Sequence, residues 1–397
     1  MARFGDGLAT GADLVEAADR AADAALAGLG GRRPDLTLVF VSGDDPEEVA
    51  AAGQWAMSRC AAPASIGCSG PGVLASHGAV EAANAVAVWC GVLPGVKVRT
   101  FHLEVMPASE GMAVVGMPER GPDDAVGVLL ADPWSFPVDS FVTRANEALA
   151  GLPFVGGCAT GWRGRGSTRL FINGDAIDRG AVGALLAGPV GARAIVSQGC
   201  RPIGPLMTVT ASDGNVLLEL AGVPALHKLQ QILLELDPVA QALATTGLQV
   251  GVAMDEYADE HGVGDFLVRG IAGTDPDRGG LVVGDLVPVG RTIQFQLRDA
   301  ASADEDLRRT LRGFRSGTFD TIEGALLFSC NGRGADMFAT ADHDVAVLGE
   351  ELAVDAVAGF FAAGEIGPVG GRNHMHGLTA SVLAFGSGTA SDRGTAT

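Results

Sequence analysis

Residues 36–72 read LTLVFVSGDDPEEVAAAGQWAMSRCAAPASIGCSGPG, and the order of residue types along them decides the fold. An apolar run over 36–43 is followed by helical spacing over 45–60, then by a second short run over 64–72 that ends in small residues. This is strand, helix, glycine-rich strand end. The pattern recurs at 125–133 (AVGVLLADP), with a helical stretch over 138–150 and the ending LPFVGGCATG at 152–161. It recurs again at 324–334 (GALLFSCNGRG), with a helical stretch over 343–352 and the ending VAGFFAAGEIGP at 357–368. A β-α-β crossover of this length sets its two strands parallel and right-handed, so the glycine-rich ends meet at one edge.

Outward from these units, short apolar runs at 85–92, 96–104, 168–173, 180–187 and 192–198 predict added antiparallel strands. GVAMDE (251–256), FLVRGI (266–271) and GRTIQFQL (290–297) predict a separate sheet in the second half, before a helix over 304–315. Residues 223–246 place Leu226, Leu229, Ile232, Leu233 and Leu236 on one helical stripe. The expected fold is α/β: two domains of repeated β-α-β units with added antiparallel strands, in mixed sheets stacked with helices outside. The expected boundaries are an N-terminal helix within 1–33, an N-terminal domain over 34–205, a C-terminal domain over 220–385 and a flexible tail over 386–397.

With 47 acidic against 27 basic residues the chain carries a formal charge of −20, which repels phosphate backbones and acidic membrane faces. No nucleic-acid partner is expected, and no membrane insertion, because no apolar run reaches the roughly 18 residues needed to cross a bilayer. Six cysteines stand far apart at 60, 68, 90, 158, 200 and 330, with no CxxC pair and no leader pattern before them, which points to a reducing, cytoplasmic setting. GCSGPG and GGCATGWRGRG lack the phosphate-loop signature, so no nucleotide cofactor is expected.

Chemistry-bearing residues gather at the strand ends. Cys330, Asn331 and Arg333 lie in SCNGRG, where two glycines permit a tight turn. Glu365 interrupts an apolar run and is followed by Arg372, Asn373, His374 and His376, so a carboxylate, a guanidinium and two imidazoles stand close in sequence. With Glu365 the two histidines imitate a two-His-one-carboxylate set, but the other histidines are scattered and no metal is expected. Cys158 ends the second glycine-rich strand ahead of Trp162, Arg163 and Arg165, and Arg201 follows a later strand. The plainer alternatives are a buried strand-end cysteine at 330 and a surface Glu–Arg pair at 365 and 372.

SQGCRPIGP (197–205), LFSCNGRG (327–334) and FFAAGEIGPVGGRNHMHG (360–377), with IGCSG (66–70) and VGGCATG (155–161), resemble the FIST family, F-box and intracellular signal transduction proteins, across nearly the whole chain. The resemblance implies a sensory protein that binds a small polar ligand, such as an amino acid, between its domains and passes the signal to a separate output protein. Within that reading Cys330, Asn331, Arg333, Glu365, Arg372, Asn373, His374, Cys158 and Arg201 are the ligand-binding candidates, with an arginine on the ligand carboxylate and Glu365 on its amine. The alternative is an enzyme with Cys330 as nucleophile and His374 or His376 as base.

Overall fold

The computed structural model describes residues 1–108, 111–258, 261, 264–315, 317 and 319–387. Strand β1 (Arg3–Thr10) and helix α1 (Leu14–Gly28) precede the first repeat. That repeat comprises β2 (Leu36–Ser42), α2 (Pro46–Cys60), β3 (Ala64–Ser69), the hairpin β4 (Gly72–Ala75) and β5 (Gly78–Glu81), and the return strand β6 (Ala85–Val92). A ribbon of β7 (Lys97–Ala108) and β8 (Gly111–Val115) leads to the second repeat. It comprises β9 (Asp124–Ala131), α3 (Val138–Ala148), β10 (Phe154–Cys158), the hairpin β11 (Leu170–Ile172) and β12 (Asp175–Ile177), and β13 (Ala181–Ala187), with β14 (Ala192–Ser197) after it.

An inserted segment follows: β15 (Cys200–Asp213), β16 (Val216–Leu220), β17 (Val223–Pro224), α4 (Ala225–Glu235), α5 (Pro238–Gly247), β18 (Leu248–Ala253), β19 (Phe266–Asp275), β20 (Gly280–Val283) and β21 (Thr292–Arg298). Helix α6 (Ala300–Arg315) leads to the third repeat. This comprises β22 (Thr321–Cys330), the short α7 (Ala335–Phe338), α8 (His343–Leu352), β23 (Val357–Ala362), the hairpin β24 (Glu365–Val369) and β25 (Arg372–His376), and β26 (Ala380–Ser387).

Each repeat pairs its first two strands in parallel and returns its last strand antiparallel beside the first: β6 on β2, β13 on β9, β26 on β22. The hairpins do not stay at home. Hairpin β4–β5 docks on β23, β11–β12 on β3, and β24–β25 on β10. The next strands also cross over: β7 pairs with β13 and β14 with β26, while β1 takes the matching place on β6. Three mixed sheets thus interlock in a pseudo-threefold cycle, and every repeat needs another to complete its ladder.

The inner faces of the three sheets share one core, in which Phe40 stacks on Phe360 at 5.4 Å and Phe328 meets Phe360 edge-on at 6.0 Å. Helices cover the outer faces. Alanines 17, 18, 21, 22 and 25 of α1 are fully buried, and α1 lies so close to β1 that a Cβ on Gly5 would meet the Ala25 carbonyl oxygen at 2.2 Å. This close approach is why the N-terminal stretch is rich in alanine. Asp13 caps α1 through the amides of Val15 and Glu16.

The chain forms two compact units. One joins Met1–Val196 to the described residues from Arg308 onward, and the other is Ser197–Leu307. The second unit holds one sheet in the order β15-β21-β18-β19-β20-β16-β17, with Leu229, Ile232 and Ala240 of α4 and α5 buried against it. The helical stripe over 223–246 breaks at Asp237, whose carboxylate caps α5 ahead of Pro238.

These units cut the chain differently from the boundaries read in the sequence. The third repeat, expected inside a domain over 220–385, completes the unit begun by the first two, because its hairpin and its second strand exchange ladder bonds with theirs. The segment 1–33 supplies a core strand as well as a helix. Of the tail expected over 386–397, Gly386 and Ser387 finish β26, and 388–397 lie outside the described residues.

If the three sheets share one core, Phe360→Ala should cost about 3–5 kcal/mol in denaturant unfolding and lower the stability of the whole first unit in one transition.

Candidate functional site

The pseudo-threefold pairing identifies equivalent positions. Phe40, Cys68 and Leu170 lie side by side across one sheet, and Phe328, Phe360 and Val73 across another. In the remaining sheet the same row is Leu130, Gly157 and Glu365. Glu365 therefore occupies a core position that the other two sheets fill with Leu170 and Val73. A fully buried carboxyl at an apolar position costs stability unless it is neutral or paired.

Its surroundings leave it half satisfied. Oε2 of Glu365 accepts the Thr379 amide at 3.1 Å and the Thr379 hydroxyl at 2.8 Å, whereas Oε1 finds no hydrogen-bond partner among the described residues. Burial pushes the carboxyl up to about 8, against the pull of the Thr379 bonds, of the neighbouring Cys330 thiol and of the Arg333 charge. The group is thus largely protonated at neutral pH.

Cys330 ends β22 beside it. Burial, and then the Glu365 carboxyl, push its thiol up to about 12. Cys158 ends β10, with its thiol 3.8 Å from the Met375 sulfur; burial, then Glu365 and Asp132, raise it to about 12 also. The opposite of an activated nucleophile results, since a reactive cysteine needs a depressed pKa and exposure. Gly157, opposite Glu365, has no room for a side chain: a Cβ there would stand 2.7 Å from that of Ala362.

Two further positions belong to the same strand ends. Asp132 donates its amide to the Gly180 carbonyl as Cys330 does to that of Thr379, so the two are equivalent, and Ser42 holds the third place opposite Ala85. The Oγ of Ser42 and the Oδ1 of Asp132 are buried with no hydrogen-bond partner among the described residues. Sequence reading missed both, together with Thr379, because each looks like an ordinary strand-end residue until the repeats are superposed. The turn before Thr379 is strained: Leu378 holds φ at 66°, a left-handed conformation that costs a residue of this type about 1–3 kcal/mol.

The other expected site residues are placed as follows. Arg333 is buried in a two-pronged pair with Asp344, Nε to Oδ2 at 2.8 Å and Nη2 to Oδ1 at 2.9 Å, and lies over the Phe338 ring. Burial alone would raise Asp344, but Arg333, His343 and Ser329 hold its carboxyl well below the usual range. Arg333 is thereby committed to Asp344 rather than presented to a ligand carboxylate.

Asn373 is also consumed structurally. Its side chain accepts the Phe154 amide and donates to the Leu152 carbonyl, and its backbone pairs with the Asn146 side chain, fastening β25 beside α3. Arg372 is exposed at the hairpin tip, paired with Val369 and four residues along the strand from the partner of Glu365.

His376 stands directly opposite Glu365 and its Nε2 donates to the Gly367 carbonyl, with the His374 ring 6.0 Å away. Asn331 is exposed and accepts the Cys330 thiol proton at 3.7 Å. Arg201 lies in the second unit, in an ion pair with Asp299. Arg163 pairs with Asp44 on the surface. The structure thus gathers Glu365, Cys330, Cys158 and His376, and sets Arg372 at the far end of its hairpin from that cluster.

Three interlocked β-α-β repeats with a buried carboxyl in their shared core are the frame in which these residues meet. The FIST N domain matches residues 35–223 and the FIST C domain residues 225–368, so the chain belongs to the FIST family. FIST domains are associated with signal transduction and with the binding of small ligands. The chain is 42% identical over 386 residues to the uncharacterized protein Rv0628c of Mycobacterium tuberculosis, covering 96% of this chain and 99% of that one. It is 40% identical over 383 residues to the uncharacterized protein Mb0898c of Mycobacterium bovis, covering 96% and 98%. Among the described residues no helix is long and apolar enough to cross a membrane.

Glu365 sets a pH dependence. The folded chain keeps its proton up to about pH 8, whereas an unfolded glutamate loses it near 4.5. Folding therefore binds a proton in this window, and stability falls as pH rises through it, by at most about 1.4 kcal/mol per pH unit. Glu365→Gln should flatten that slope between pH 5 and 8 in denaturant titrations and be the more stable protein at pH 8. An unchanged slope would mean that Glu365 is ionised in the fold.

Proposed function

We propose that this chain is a sensory protein whose ligand is a small molecule carrying an ammonium group, an amino acid or a close relative, and that Glu365 is the anchor for that group. The observation that carries the reading is the buried Oε1 without a conventional hydrogen-bond partner among the described residues, in a carboxyl that replaces an aliphatic side chain of the pseudo-threefold core. A charged amine supplies what this oxygen lacks, and the resulting pair ionises Glu365.

Because Arg333 is engaged by Asp344, the ligand carboxylate falls to the exposed side chain of Asn331. Glu365 is covered in this conformation, so the ligand enters by displacement of the strained turn at Leu378, which also frees Thr379. The signal leaves through a separate output protein that senses the altered turn, in line with the family's association with signal transduction.

A thermal-shift screen of the full chain against the common amino acids and the amines derived from them tests this reading. A selective rise in Tm is expected, lost in Glu365→Gln, with an affinity that increases about tenfold for each unit by which pH is raised toward 8 and levels off above it, because binding releases the Glu365 proton. A ligand that stabilises Glu365→Gln as well as the parent, or no stabilisation by any amine, would overturn it.

A further inference from the structure

The cycle of sheets has a second end, where the parallel strands begin rather than finish. There a cleft of about 340 Å³ is bounded by the β6–β7 and β13–β14 turns, the start of β1 and the end of β26, and its walls include Phe4, Leu93, Val96, Val190 and Phe385. We propose that this cleft is a second binding site, for a small organic ammonium ion with an aromatic or alkyl body, held by the Glu323 carboxylate. The volume suits a body of one ring and a short chain.

Three features carry the proposal. Among the described residues Glu323 is the one charged side chain lining the cleft. Its Oε1 accepts the Ser387 hydroxyl at 2.8 Å, while Oε2 is buried without a hydrogen-bond partner among the described residues. The walls are partly aromatic: Phe4 and Phe385 line the cleft with ring centroids 5.2 Å apart, and both pack on Trp89, at 5.1 and 5.2 Å. A carboxylate beside aromatic faces attracts an organic cation through charge and through the ring quadrupoles, and the same walls exclude a hydrated inorganic ion.

A polar cleft of about 550 Å³ shares Ala2, Phe4 and Glu323 with the first and carries Arg3, Asp6, His77 and Asp355. Glu323 thus stands where an apolar space meets a polar one. An amphipathic amine fits that boundary, its body in the first cleft and its ammonium at the carboxylate.

Trp89 supplies the readout. It is fully buried, whereas Trp55, Trp134 and Trp162 are 48%, 54% and 37% exposed, so the blue-shifted part of the emission belongs to Trp89. Titrating the full chain with 2-phenylethylamine should change that component saturably, and the neutral isostere 2-phenylethanol should bind at least tenfold more weakly. Glu323→Gln should abolish the preference for the amine, while Glu365→Gln should leave it intact, which separates this site from the one at Glu365. Phe385→Leu, which keeps the carboxylate and removes one ring, should weaken the amine more than the alcohol. Equal binding of amine and alcohol, no saturable change with the amine, or retention of the preference in Glu323→Gln would overturn the proposal.

Discussion

The exchange of hairpins among the three repeats is the constraint on which the rest of the first unit depends. A β-α-β unit of this length leaves the second strand with an open edge, and here each edge is closed by a hairpin from another repeat. The ladder bonds, and with them the burial of Phe40, Phe328 and Phe360 in one core, exist only when all three repeats are in place. The inserted second unit separates the second and third repeats in sequence without removing the third from the cycle.

A cyclic arrangement makes exceptions visible. Where two sheets present Leu170 and Val73, the remaining one presents Glu365 across from a glycine. Where the first strands end, the equivalents are Ser42, Asp132 and Cys330, three different polar side chains on one structural position. Packing alone would favour uniform aliphatic residues here, and departures of this kind are where a site is to be sought. The strained Leu378 turn beside Thr379 is a departure of the same kind.

The sequence disclosed the repeats because each strand is apolar over its whole length and each ends in glycines, and it disclosed Glu365 because a carboxylate inside such a run is anomalous. It left the partners of that carboxylate open, since partners come from pairing across repeats. Thr379 and Asp132 become neighbours of the cluster only through the topology. Arg333 invited a ligand role because an arginine in a glycine-rich turn reads as exposed. The ion pair with Asp344, eleven residues on in α8, is what draws it inward. β1 stayed hidden because its glycines and Asp6 break the apolar alternation, and those glycines are there to admit α1.

The central claim is that Glu365 stands in the core as a neutral acid, ready to ionise against a ligand cation. Infrared titration reads this directly, through the carbonyl stretch of a protonated carboxyl in the difference between the parent chain and Glu365→Gln. The account predicts such a band at pH 7, disappearing with a midpoint near 8 and abolished earlier by a bound amine. A carboxylate signal from Glu365 throughout neutral pH, with no protonated band to lose, would contradict it.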